Sequence, residues 1–112
     1  MLRGNAMECI ERAFELSDDN VRTVVMNTWS AFYFKPDERT AYFEEISRRC
    51  TKDNVAWISM ESTMVKWAGL EVDDAAHHRA ASQVVLMRPS EAPVVWGWCH
   101  AHGRWLEQTT VS

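Results

Sequence analysis

The chain has 112 residues, 46% of them hydrophobic and 25% charged, with twelve Lys and Arg against sixteen Asp and Glu for a net charge of −4. That length suits a single domain, and that composition argues against disorder as the global state. An acidic balance with no basic surplus lacks the electrostatic footprint of a nucleic-acid binder, and no apolar run reaches the roughly 18 residues that cross a bilayer.

The opening stretch "MLRGNAMECIER" lacks the apolar core and small-residue cleavage site of a signal peptide. Within it, "NAMECIERAFEL" predicts a helix over about Ala6–Leu16. Asn5 and Glu8 have the spacing of a capping box, with Asn5 as N-cap and Glu8 reaching back. Met7, Ile10 and Phe14 fall on one helical face, while Glu11, Arg12 and Glu15 take the other. The run "VRTVVMNTW" then predicts a strand over Val21–Met26, apolar enough to be buried on both faces as parallel strands are. "SAFYF" can begin a short helix. "PDERTAYFEEISRRC" predicts a helix over Pro36–Cys50. Pro36 suits its first turn, Asp37 and Glu38 complement its positive start, and Arg48 and Arg49 complement its negative end. Its apolar stripe is Tyr42, Phe43, Ile46 and Cys50.

Val55–Met60 reads as a second apolar strand. Strands alternating with helices argue a parallel sheet with right-handed crossovers. The segment from Thr63 to Ser82 is irregular, with Gly69 and the Asp73–Asp74 pair marking a loop. "SQVVLMRPSEAPVVWGWCHAH" predicts a β-hairpin with strands over Gln83–Arg88 and Val94–Ala101, its turn bracketed by Pro89 and Pro93. Gly103 then turns the chain into "RWLE".

Three places carry candidate chemistry. In the last strand, alternation puts Val94, Trp96, Trp98, His100 and His102 on one face, and Val95, Gly97, Cys99 and Ala101 on the other. His100 and His102 can reach one ion, but two imidazoles leave a zinc site one or two ligands short, and His77 and His78 lie in the irregular segment. The competing reading is an aromatic strand whose histidines hydrogen-bond to backbone or carboxylate. Asn27 and Thr28 sit at the carboxyl end of the first strand, where ligands bind in open α/β sheets; the alternative is that they cap the next turn. Asn5 is explained by capping alone. Glu61 and Lys66 have no evident partner in sequence. No Ser/His/Asp order, HExxH or phosphate loop occurs, so no catalytic residue is assigned. Cys9, Cys50 and Cys99 are far apart and odd in number, which fits reduced thiols in the cytoplasm better than a disulfide framework.

Taken in order, "LRGNAMECIERAFELSDDNVRTVVMNTW", "PDERTAYFEEI", "VAWISME" and "HAHGRWLE" resemble the closing segments of an uncharacterised bacterial family, domain of unknown function 2332. That family has an R-G-D-A-like turn before a helix, a V-V-V-rich strand ending in a polar-Thr pair, a strand reading V-A-W-L-S-x-E, and H-P-H-G followed by W-x-E. This chain departs from it at Asn5, where the family is acidic, and at Ala101, where it has proline. The resemblance implies a partial Rossmann-like, methyltransferase-like α/β sheet: two parallel strands plus a C-terminal antiparallel hairpin, flanked by helices. It also implies that the chain corresponds to the C-terminal part of longer members.

Any S-adenosylmethionine contact would then fall on Asn5, Asn27, Thr28 and Trp29. The half that builds most of a nucleotide pocket in such folds would be missing, so the expected role is a scaffold or interaction unit without activity of its own. The alternatives are an S-adenosylmethionine-binding methyltransferase subunit completed by another chain, and a small metal-binding protein using His100 and His102. In the methyltransferase-like order the strand with Val24 and Val25 pairs with a first strand that is absent here. An apolar strand left at an edge is a template for pairing, which predicts a homo-oligomer with its contact near Thr23 to Phe34.

Overall fold

The computed structural model describes residues 6–16, 22–62, 65 and 81–108. Its elements run in the order α1 (Ala6–Glu15), β1 (Thr23–Thr28), a 3-10 turn (Ala31–Tyr33), α2 (Pro36–Lys52), β2 (Val55–Ser62), β3 (Ala81–Met87), β4 (Val94–His100) and β5 (Leu106–Gln108). The helices fall where the apolar periodicity puts them. The capping role expected of Asn5 lies outside the described residues. β1 begins and ends two residues later than its apolar run, because pairing with Ser59 and Met60 carries the ladder through Asn27 and Thr28. The short β5 had no counterpart in the sequence reading.

Pro36 occupies the first turn of α2, where its missing N–H costs nothing, and Lys35 before it is extended. The Arg39 guanidinium ties this first turn to the 3-10 turn, donating to the carbonyls of Ala31 (2.9 Å), Phe32 (2.9 Å) and Phe34 (3.3 Å). Tyr42, Ile46 and Cys50, at successive i and i+4 positions, are the buried stripe of α2. They pack with Val55, Trp57, Val85 and Met87 into the core, which Ile10, Phe14, Val25, Phe34 and Phe43 border. Arg49 lies 4.1 Å over the Phe14 ring, joining α1 to α2, and its Nε donates to Glu45 at 2.7 Å.

The five strands form one sheet in the order β1-β2-β3-β4-β5. β1 and β2 are parallel, and α2 is the helix-length connection that such a pair requires. The other three pairings are antiparallel. The expected parallel pair and terminal hairpin are therefore present, but the sheet is mostly antiparallel and the Rossmann-like arrangement is not confirmed. Short links after β3 and β4 return the chain beside itself, which makes antiparallel neighbours.

The helices and the core cluster lie against one face of the sheet. The opposite face carries Val24, 52% exposed, Met26, 60% exposed, and the half-buried Ile58, Met60, Leu86 and Trp96. Among the described residues, no helix is long and apolar enough to cross a membrane.

Candidate functional site at the strand ends

The carboxyl ends of β1 and β2 meet the start of β3 and the end of β4. Two different environments form there, one on each face of the sheet. On the helix-covered face, the alternation Val55, Trp57, Ser59, Glu61 turns inward, and the last of these is a fully buried carboxyl. Glu61 Oε1 accepts from Asn27 Nδ2 (2.9 Å) and from the backbone N–H groups of Ser30 and Ala31 (3.0 Å each). Asn27 Nδ2 also donates to Ser59 Oγ (2.9 Å), and its Oδ1 accepts from Trp57 Nε1 (2.6 Å). The N–H groups that open the 3-10 turn are thus taken by Glu61, with Asn27 holding that carboxyl in place. Asn27 is 4% exposed, and both ends of its amide are engaged in this network. Burial, and secondly the nearby Glu61 charge, pushes the Tyr42 phenol up to about 12.

Glu61 is the residue that sequence reasoning missed. The signal was available in the alternation itself, which puts Glu61 on the same face as Val55 and Trp57. A lone carboxyl on a buried strand face must find donors. Among the described residues its second oxygen, Oε2, has no hydrogen-bond partner, and neither does Oε1 of the buried Gln83 across the ladder.

On the open face lies a cavity of about 340 Å³. Thr28 and Trp29 come to it from the end of β1, Met60 from β2, and Cys99, His100 and Trp105 from β4 and the turn into β5. Two of the stretches singled out in the sequence, Thr28–Trp29 and His100, therefore meet here although 72 positions separate Thr28 from His100. Trp29 adopts φ 51°, a left-handed conformation that a bulky residue rarely takes and that costs on the order of 1–3 kcal/mol. Its backbone N–H donates to the Met60 carbonyl (3.0 Å) and its indole N–H to Ser82 Oγ (2.7 Å), which holds the strained geometry. Backbone strain kept in place by its surroundings at a cavity wall is a mark of a functional position.

The turn between β4 and β5 shapes the other wall. The His100 carbonyl accepts from Gly103 N–H (2.9 Å), where Gly103 supplies φ 75°, and His100 N–H donates to the Trp105 carbonyl (3.0 Å). His100 Nδ1 accepts from the His102 backbone N–H (3.0 Å). A neutral imidazole that accepts at Nδ1 carries its proton on Nε2, which is then a donor. The two imidazoles stand 5.7 Å apart between centroids. Among the described residues no third His, Cys, Asp or Glu joins them as a metal set; His77 and His78 lie outside those residues. Burial raises the Cys99 thiol, so it is held as the neutral, weakly nucleophilic form.

The expected sharing of one face by Trp96 and Trp98 is corrected by a bulge. Val84 opposes Gly97 but Val85 opposes Val95, so Trp96 is the extra residue. A bulge resets the alternation. Trp98 consequently opposes Gln83 on the covered face, while Trp96 borders an open-face groove with Met60, Val84 and Leu86. His102 lies past the end of β4 in the turn. Of the remaining expected positions, Asn5 falls outside the described residues.

The family model described as "Uncharacterized protein conserved in bacteria (DUF2332)" matches residues 1–108. The match runs from the first residue, and the reading of the chain as a C-terminal part of that family is not borne out by it. No curated protein and no solved structure matches the chain. With a match over nearly its whole length, the chain belongs to the DUF2332 family.

Proposed function

We propose that this chain is a non-catalytic binding unit that takes a flat, uncharged heteroaromatic ring between Trp29 and Trp105. The observation that carries this reading is the makeup of the cavity wall. Among the described residues its lining is aromatic and apolar, with Thr28 and His100 as the polar members, and none of them is a carboxylate, lysine or arginine. Such walls suit ring stacking, with a few placed donors to fix orientation. The chemistry-bearing groups argue against catalysis: the thiol is held neutral by burial, and the imidazole Nδ1 is already engaged. A cytoplasmic setting accords with three unpaired cysteines.

One observation favours S-adenosylmethionine as the source of the ring: the cavity lies beyond the carboxyl ends of the parallel pair β1 and β2, the usual ligand position in α/β sheets. Titration calorimetry with adenosine and with S-adenosylhomocysteine tests both readings. Adenosine heat that disappears in Trp105→Ala supports the ring pocket. A markedly tighter S-adenosylhomocysteine identifies the cofactor, and equal affinities remove it. Absence of heat with both probes would sink the pocket reading itself.

A further inference from the structure

The backbone at β1 defines a second recognition element, which meets the cavity only at its Thr28 end. The N–H of Thr23 donates to the Asn54 carbonyl (3.1 Å) and that of Trp29 to the Met60 carbonyl (3.0 Å), both toward β2. Alternation along the strand then turns the N–H and C=O groups of Val24, Met26 and Thr28 away from the sheet. β1 is the sheet edge, and these outward groups have no strand beside them among the described residues. Edge strands are ordinarily guarded by charge, proline, a bulge or brevity. The other edge, β5, is three residues long and carries Glu107. β1 is six residues, "TVVMNT", with no charge, no proline and no bulge in its ladder.

We propose that β1 is a dimerisation edge, at which two copies pair β1 with β1 antiparallel about a two-fold axis and extend the sheet from five strands to ten. The strand's own sequence selects the register. Directly opposed residues share a face, so a two-fold axis must set either Val25 or Met26 opposite itself. With Val25 opposite itself, Val24 meets Met26 on the open face and Thr23 meets Asn27 on the covered face, apolar against apolar and polar against polar. With Met26 opposite itself, Val24 meets Thr28 and Val25 meets Asn27, a mismatch on both faces. In the first register Arg22, the charged residue that precedes the strand, faces Thr28 and not its own copy, so these like charges do not oppose. Val24 and Met26, at 52% and 60% exposure, are the side chains that pairing would cover. A six-residue strand pair buries less than the ~800 Å² per partner of a standard interface, so the expected dimer is a weak, concentration-dependent one.

Sedimentation velocity over a micromolar concentration series tests this directly. The expected result is a shift to twice the chain mass, lost in Met26→Lys, whose side chain is exposed enough to leave the circular dichroism spectrum unchanged. Amide hydrogen exchange on the unaltered chain gives an independent reading: the Val24, Met26 and Thr28 amides become slower as concentration rises. A chain that stays monomeric throughout overturns the proposal, whether or not an added strand peptide binds. So does a dimer that survives both Met26→Lys and Val24→Lys, or one whose three outward amides exchange at a rate independent of concentration.

Discussion

Glu61 organises more of the candidate site than any residue that lines it. Its Oε1 gathers three N–H donors from β1 and the turn after it, and so fixes where Trp29 emerges. Glu61→Ala would strand those donors in a dry interior, at about 3–5 kcal/mol. Glu61→Gln keeps an acceptor at the same place and sets its amide where Oε2 has no partner among the described residues, so about 1–2 kcal/mol is expected. Urea unfolding of the two variants decides it; equal losses would show that the three bonds do not carry the effect. Alkaline behaviour follows from other buried acids, the Cys99 thiol among them and two shifted further. Burial pushes the Cys50 thiol from its ordinary 9.0 to about 11, and burial with the Glu61 charge pushes the Tyr42 phenol from 10.0 to about 12. Both are acids kept neutral by the fold, so their contribution is whole below pH 9. It is lost as pH rises through 11 for the thiol and 12 for the phenol, by up to about 2 kcal/mol each. Melting temperatures taken from pH 8 upward should fall from about pH 9. In Cys50→Ala the fall above pH 9 should be shallower, with the buried Cys99 thiol supplying what remains of it, and an unchanged slope would refute the assignment to the Cys50 thiol.

At the scale of elements, the hairpin and its added strand depend on one missing side chain. A Cβ at Gly97 would collide with the backbone carbonyl of Glu107, so β5 can lie against β4 only because position 97 is glycine. Overpacking against backbone has no flexible neighbour to absorb it. Gly97→Ala is expected to cost about 1–3 kcal/mol and to release β5. The specific sign is faster amide exchange at Leu106–Gln108 with the amides of β2 unaffected; retained protection at β5 would contradict the argument. Since Trp105 and Leu106 wall the cavity, the same variant should also weaken ring binding.

At the scale of the whole molecule, the described residues are arranged lopsidedly. Helices cover one face of the sheet, whereas the other face presents Val24, Met26 and Leu106, each more than half exposed, beside Ile58, Met60 and Trp96. A sheet ordinarily buries its apolar face against a second layer. The folded protein should therefore bind an apolar dye such as anilinonaphthalene sulfonate without denaturant, with near-ultraviolet circular dichroism intact. Dye binding that appears only once the near-ultraviolet signal is lost would mean that this face is covered in solution.

The helices, the first two strands and the hairpin were legible in the sequence, because periodicity, a first-turn proline and bracketing prolines act within a few residues of where they stand. Thr28, Trp29 and His100 were singled out by position or type, but their meeting in one cavity was not legible. Strands far apart in sequence become neighbours only through sheet order, and sheet order is a property of the assembled ladder. The same reason hid the mostly antiparallel pairing, since alternation of helix and strand does not state which neighbour a strand takes. The opposite outlooks of Trp96 and Trp98 follow from one inserted residue in the β3–β4 register, which simple alternation cannot register. Glu61 shows the division most plainly. Its burial could be read from the strand alternation, but its three donors come from residues 30 and more positions away, brought to it by the tertiary fold.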